Sequence, residues 1–268
     1  TSLCRLKAFF GDDTLPIYAL SIQKLRKTYK RRVGEVKAVD THRNELAETK
    51  TLLRWCLKKG LVSKALVDRL DEVEGTGRRR KGKKQLRVDE ARRWKKKAME
   101  LALNGDSGAV AALCSLYLGL RASEIVNIAA RDVDDNGKLL WVTVSKTESG
   151  IRRVEVPDAL RELLLLLANM KEPDELIFGK HWRDWPRHQV QRICKLAEVP
   201  MVTAHGMRGL HATLARSAGA TSDFVAASLG QTNSRVTEEH YISSEANQEA
   251  KGRAFLKVID GGKARGST

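Results

Sequence analysis

Arg121, Lys146, His205, Arg208, Gln231 and Tyr241 occupy the second half of this chain. The three cations, the histidine and the late tyrosine among them suit one task, holding a DNA phosphate while a phenol attacks it. A phosphodiester resists displacement because its charge repels nucleophiles and its alkoxide leaves poorly. Cationic donors on the nonbridging oxygens relieve both problems without a metal, and the planar fork of arginine fits them. A tyrosine nucleophile conserves the bond energy as a phosphotyrosine. Its pKa of about 10 means that it needs cations around it.

Each residue also has a plainer reading. Arg121 follows Gly119 at a break between two helices, where side chains and backbone N–H groups are exposed; alone it reads as a surface arginine. Glu124, three residues on, could orient it or simply complement a helix N-terminus. His205 and Arg208 are three apart and share a helix face, yet such a pair arises readily in an arginine-rich chain. His211, on the same helix, reads as structural. Lys146 sits at a hairpin tip, able to protonate a leaving 5′ oxygen or to rest in water. Tyr241 could be an interface or core residue, the reading given to Tyr18, Tyr29 and Tyr117.

Lysine and arginine total 49 against 33 acids, a formal charge of +16 over 268 residues. That excess points to a polyanionic partner, nucleic acid first, because each neutralised phosphate releases counterions. An apolar fraction of 42% supports a core and excludes wholesale disorder. Cys4, Cys56, Cys114 and Cys194 lack metal-ligand spacing, which fits a reducing, cytoplasmic and nucleoid-associated setting. No apolar run reaches membrane-spanning length and no signal peptide is visible. The first residue is Thr1, which leaves the natural N-terminus open. Clustered carboxylates able to hold two metals are lacking, which disfavours a metal nuclease.

These side chains need a frame to gather them. Residues 1–75 read as a small helical domain, with Ser21, Asp40 and Ser63 as N-caps and Gly60 as a stop. Residues 76–85 form a basic linker without an aliphatic residue, with Arg79, Arg80, Lys83 and Lys84 as candidate DNA contacts. Residues 86–268 read as the catalytic domain. Ala91, Trp94, Ala98 and Leu101 trace a helix face, Ser107 opens the next helix and Gly119 ends it. A strand over 139–144 and a return strand over 153–156 flank a turn at 146–150. Helices are predicted at about 158–169, 184–197, 204–218, 222–229 and 245–258. The stretch from His181 to Gln189 mixes aromatic and basic residues. Its tryptophans are expected to pack, with Arg187 and Gln189 as candidate base readers.

Four stretches then carry a resemblance: Leu118-Gly119-Leu120-Arg121-Ala122-Ser123-Glu124-Ile125; Lys146 followed by Arg152-Arg153-Val154-Glu155-Val156-Pro157; Ala204-His205-Gly206-Met207-Arg208-Gly209-Leu210-His211-Ala212-Thr213; and Ser228-Leu229-Gly230 ahead of Tyr241. In order and context, residues 86–258 resemble the tyrosine recombinase, or phage integrase, family. The resemblance implies a mainly α fold with a small antiparallel β-sheet, arranged as a two-domain C-shaped DNA clamp. It implies that Arg121 and Arg208 clamp the scissile phosphate, Lys146 is the general acid, His205 supports proton transfer and Tyr241 attacks. A 3′-phosphotyrosine and a Holliday junction follow, with no cofactor or metal. The expected partners are double-stranded DNA with specific recombination sites, three further protomers reached through the C-terminal tail, and an accessory DNA-bending or activating protein. Gln231 departs from the family's usual histidine or tryptophan. It can donate a hydrogen bond but not a proton, which keeps open a weakly active or purely DNA-binding protein. A relaxing type IB topoisomerase with the same chemistry is the other alternative.

Overall fold

The computed structural model describes residues 9–11, 16–36, 38–78, 82, 84–145 and 148–231. The chain divides into two compact units, Thr1–Arg80 and Lys81–Thr268.

The first unit is built on helices α1 (Ile22–Glu35), α2 (Val39–Lys58) and α3 (Lys64–Asp68). Ser21 and Ser63 cap α1 and α3 by accepting the N–H groups of Lys24 and Leu66. Asp40 does not cap α2. Ala38 holds the extended N-cap position and Asp40 lies inside the first turn, where its carboxylate still complements the helix dipole. Ile22, Leu25, Leu46, Leu53, Cys56 and Leu70 form a small core. Beside it the Tyr29 hydroxyl meets His42 Nδ1 at 2.9 Å and accepts from the Thr76 N–H at 2.9 Å.

The second unit surrounds one apolar helix. In α4 (Val88–Leu103), Ala91, Trp94 and Ala98 are fully buried, as their spacing predicts. Helix α5 (Ser107–Tyr117) is buried on every side, the mark of a central helix rather than an amphipathic one. Its N-cap is Asp106, which accepts from the Ala109 N–H at 3.0 Å. Ser107 is the first helical residue, as its expected place at the start of the helix requires. Around α5 pack α4, α7 (Asp158–Asn169), α8 (Trp185–Leu196) and α9 (Ala204–Ser217). The short helices α6 (Ala122–Ile125) and α10 (Ser222–Ser228) complete the helical part. The helix expected over 245–258 lies outside the described residues.

A three-stranded antiparallel sheet, ordered β1 (Val133–Asp134), β2 (Leu139–Val142) and β3 (Arg152–Glu155), covers one side. Leu140 faces Val154 and Val142 faces Arg152. The strand predicted over 139–144 stops at Val142 because β3 offers no partner beyond Arg152. Thr143 instead bonds Asp132 through its hydroxyl, and Val144 is exposed. Among the described residues no helix is long and apolar enough to cross a membrane.

Trp94 is fully buried and donates its indole N–H to the Val190 carbonyl, whereas Trp182 is 68% exposed. Trp94→Ala is therefore expected to cost about 3–5 kcal/mol in denaturant unfolding of the second unit. Trp182→Ala should change stability by less than about 0.5 kcal/mol. Equal costs for the two would contradict this packing.

Candidate active site

After α5 the backbone turns through Gly119 at a φ of +60°. A Cβ there would lie 2.6 Å from Leu229 Cδ2 and 2.9 Å from His211 Cδ2. Glycine thus permits both the left-handed turn and the close approach of α9 and α10. The turn delivers Arg121 to the N-cap of α6, and Glu124 one turn later accepts the Arg121 N–H at 2.9 Å.

Glu124 is the hub of the site and is 3% exposed. Its Oε1 accepts from Arg121 Nη1 at 2.5 Å and from the Ser145 hydroxyl at 3.0 Å. Arg152 reaches both carboxylate oxygens, at 3.3 and 3.2 Å. Arg208 Nη1 lies 3.9 Å from Oε2. Burial by itself would push the Glu124 carboxyl up. The charge and hydrogen bonds of Arg152, with those of Arg121, prevail and hold it below the ordinary carboxylate value. One carboxylate among three guanidiniums leaves the cluster net cationic.

The guanidiniums also tie distant segments together. Arg208, fully buried, donates Nη2 to the Leu229 carbonyl at 2.7 Å and Nη1 to the Gly119 carbonyl. Arg121 Nη2 donates to the next carbonyl, Gly230, at 3.1 Å. Both arginines thereby hold the C-terminal turn of α10. Gly230, at a φ of +61°, lets that turn sit on the hairpin: a Cβ would come within 2.9 Å of the Ser149 carbonyl and of Arg152 Nη1.

A cavity of about 660 Å³ opens beside the cluster, lined by Arg121, Ser123, Ser145, Arg183, Arg187 and His205 among others. His205 lies in the first turn of α9, which Thr203 caps by accepting the Gly206 N–H. The face shared by His205 and Arg208 runs from solvent into the core. The imidazole is exposed at the cavity and the guanidinium is buried one turn below. Gly206 allows the Lys84 carbonyl to cross close over α9; a Cβ would lie 2.5 Å from it.

Of the sequence candidates, Arg121, His205 and Arg187 line this cavity, and Arg208 joins Arg121 through Glu124 and the α10 turn. Gln231 follows that turn, half-buried. Gln189 is not brought to the cavity. It accepts from Arg192 at 3.0 Å and lies against Gly108, on another side of α8 from Arg187. Lys84 is exposed. Lys146, Tyr241, Arg79, Arg80 and Lys83 lie outside the described residues. The tryptophans divide: Trp185 packs against the core with His181 stacked on it at 3.8 Å, while Trp182 is exposed. Sequence reasoning assigned no role to Arg152, Ser145 or Arg183. The bonds of Arg152 to Glu124 and Ser228 span 28 and 76 positions, and no local spacing reports them.

His211 holds the frame. Its Nδ1 lies 3.0 Å from the Leu116 carbonyl, which can only accept, so Nδ1 carries the proton. Burial, with Arg208 and Arg152 nearby, pushes the imidazole down to about 4.

The family model described as the phage integrase family matches residues 84–248. Over 176 residues the chain is 26% identical to the integrase of Mycobacterium phage L5, covering 56% of this chain and 47% of that protein. The chain thus matches about half the length of this curated relative. Among solved structures, it is similar to a lambda integrase (75–356) dimer bound to a COC′ core site, with a TM-score of 0.67 and 15% identity over 94% of this chain and 90% of that one. It is also similar to the Tn1549 transposon integrase in complex with a circular intermediate DNA, with a TM-score of 0.69 and 16% identity over 89% and 87%. A lambda integrase tetramer bound to a Holliday junction gives 0.67 and 16% over 94% and 73%. At these identities the structural likeness establishes the fold, a mostly helical recombinase architecture with a small antiparallel sheet.

The His211 shift has a defined sign. Its folded pKa lies below the ordinary 6.5, so the unfolded chain binds the extra proton between 6.5 and about 4. The stability this residue confers is complete above 6.5 and drains away as pH falls toward 4. His211→Asn keeps a donor for the Leu116 carbonyl but does not titrate. The stability difference between wild type and this variant, from denaturant melts across that window, is expected to shift against wild type on acidification. A constant difference would contradict the assignment.

Proposed function

The chain belongs to the phage integrase family, and we propose on that premise that it is a site-specific DNA recombinase working through a covalent tyrosine–DNA intermediate. The observation that carries this reading is the placement of Arg121 and His205 on one cavity, with Arg208 anchored to the same Glu124 and to the adjoining α10 carbonyls.

In this proposal the scissile phosphate enters the cavity and Arg121 meets its nonbridging oxygens. Arg208 joins the clamp by releasing the Leu229 or Gly119 carbonyl, since in the closed arrangement it is fully buried. Two guanidiniums offset the charge that accumulates as the phosphorus becomes five-coordinate. Tyr241 Oη attacks the phosphorus, the bond to the 5′ oxygen breaks, and Lys146 supplies the proton that the departing oxygen takes up. His205 binds the phosphate and supports movement of the phenolic proton. A 5′ hydroxyl from a partner strand reverses the step and exchanges strands through a Holliday junction. The route uses no metal and no nucleotide cofactor.

The proposed substrate is double-stranded DNA carrying specific recombination sites, gripped by the helical unit, by the basic linker through Arg79, Arg80, Lys83 and Lys84, and by Arg187. Four protomers, joined through their C-terminal tails, would act together, as the lambda integrase tetramer on a Holliday junction illustrates for that protein. An accessory DNA-bending or activating protein is the remaining proposed partner. Gln231 favours a second reading, a DNA-binding protein with weak or no chemistry, because an amide has no acid–base function near neutral pH.

Wild type incubated with a library of nicked suicide duplexes is expected to form a covalent protein–DNA adduct, and sequencing the captured DNA defines the site. Tyr241→Phe should bind the captured sequence with unchanged affinity and form no adduct. A mutant that still traps DNA refutes Tyr241 as nucleophile. Site-specific binding by wild type with no adduct would establish the second reading.

A further inference from the structure

Arg152 has no role among those assigned above, yet its side chain bonds Glu124, the Gly150 carbonyl and the Ser228 carbonyl. It is nearly buried, with a side chain 9% exposed. Its Nε donates to the Ser228 carbonyl at 2.8 Å, at the end of α10. Its Nη1 donates to the Gly150 carbonyl at 2.8 Å, in the hairpin return, and to Glu124 Oε1 at 3.3 Å. Its Nη2 donates to Glu124 Oε2 at 3.2 Å. One planar group therefore fastens α6, the hairpin and the α10 turn. The fit is close on every side: a Cβ on Gly150 would collide with Ser145 Oγ and lie 3.4 Å from Arg121 Nη1, and one on Gly230 would meet Arg152 itself.

The electrostatic consequence concerns Arg121. Glu124 is its only carboxylate partner among the described residues, at 2.5 Å, and an isolated Arg121–Glu124 pair would present almost no charge to the cavity. Arg152 engages both oxygens of the same carboxylate. We propose that Arg152 is a positioning residue that absorbs the charge of Glu124 and locks the α10 turn, so that Arg121 faces the cavity as an uncancelled cation. This rests on the recombinase reading of the site. Arg152 itself touches no substrate and acts through Glu124 and Arg121. A lysine could keep the charge, but its single ammonium cannot reproduce the fork that reaches two carbonyls and both carboxylate oxygens.

The test uses the full chain and the nicked duplex captured by wild type, made with either an ordinary phosphodiester or a neutral methylphosphonate at the scissile position. DNA affinity, melting temperature and the single-turnover rate of adduct formation are measured for Arg152→Lys, Arg152→Met and Arg121→Met. DNA affinity of Arg152→Lys should match wild type, while its melting temperature falls modestly because carbonyls that Arg152 serves lose their donors. On the phosphodiester the adduct should form about 10-fold more slowly for Arg152→Lys and about 10²-fold more slowly for Arg152→Met, the scale set by mispositioning a reacting group. On the methylphosphonate, where no phosphate charge needs offsetting, both gaps should narrow toward wild type. If Arg152→Met fails to fold, Arg152→Lys decides alone. A wild-type rate for Arg152→Lys on the phosphodiester, or an equal gap on both substrates, overturns the proposal. Arg121→Met marks the other failure: if its defect does not narrow on the methylphosphonate, or if wild type forms no adduct, the recombinase reading itself falls and this inference with it.

Discussion

A single buried carboxylate decides how this site is assembled. Glu124 stands at the junction of α6, the β2–β3 hairpin and the α10 turn, and Arg121, Arg152 and Arg208 arrange themselves around it. An unpaired carboxylate at such a position would be costly, and three guanidiniums without it would repel one another. Together they form a compact group whose net charge stays positive. Such a group suits an anion that arrives from outside, because its cations are already desolvated and oriented before the ligand enters.

The backbone contributes as much as the charges. Arg208 and Arg121 donate to consecutive carbonyls, Leu229 and Gly230, and Arg152 donates to Ser228. Three arginines from three elements thus hold one short stretch of backbone, the stretch that leads on to Gln231. Gly119 and Gly230 make this possible, since both adopt positive φ and both sit where a Cβ would strike a neighbour. The same arrangement explains why Arg208 is closed off. Its donors serve the Gly119 and Leu229 carbonyls, and in the proposed reaction a phosphate would compete for them.

Much of the frame was legible in the residues. The apolar run of α5, the glycine after it, the serine caps of the first unit and the helix boundaries near 158–169 and 204–218 follow from local chemistry, and the structure places them within a residue or so. The misses have physical causes. Asp40 is a good cap in isolation, but Ala38 occupies the position where the backbone is extended. The strand ends at Val142 because pairing depends on its partner's length, which propensity does not encode. Arg187 lines the cavity and Gln189 does not, because a helix rotates about 100° per residue and turns them to different sides. Arg152 was invisible as a functional residue because its partners are near only in the folded chain. Lys146 and Tyr241, whose roles are proposed from the family resemblance and from chemistry, lie outside the described residues.

The central claim is that Arg121 and Arg208 close on one phosphate while Glu124 retains Arg121 and Arg152. The most direct measurement is a crystal structure of the Tyr241→Phe chain on its captured DNA site. The account predicts a backbone phosphate in the cavity with nonbridging oxygens about 3 Å from both guanidiniums, and Arg208 detached from the Leu229 or Gly119 carbonyl. A bound duplex whose nearest phosphate meets Arg121 alone, with Arg208 still seated on both carbonyls, would contradict it.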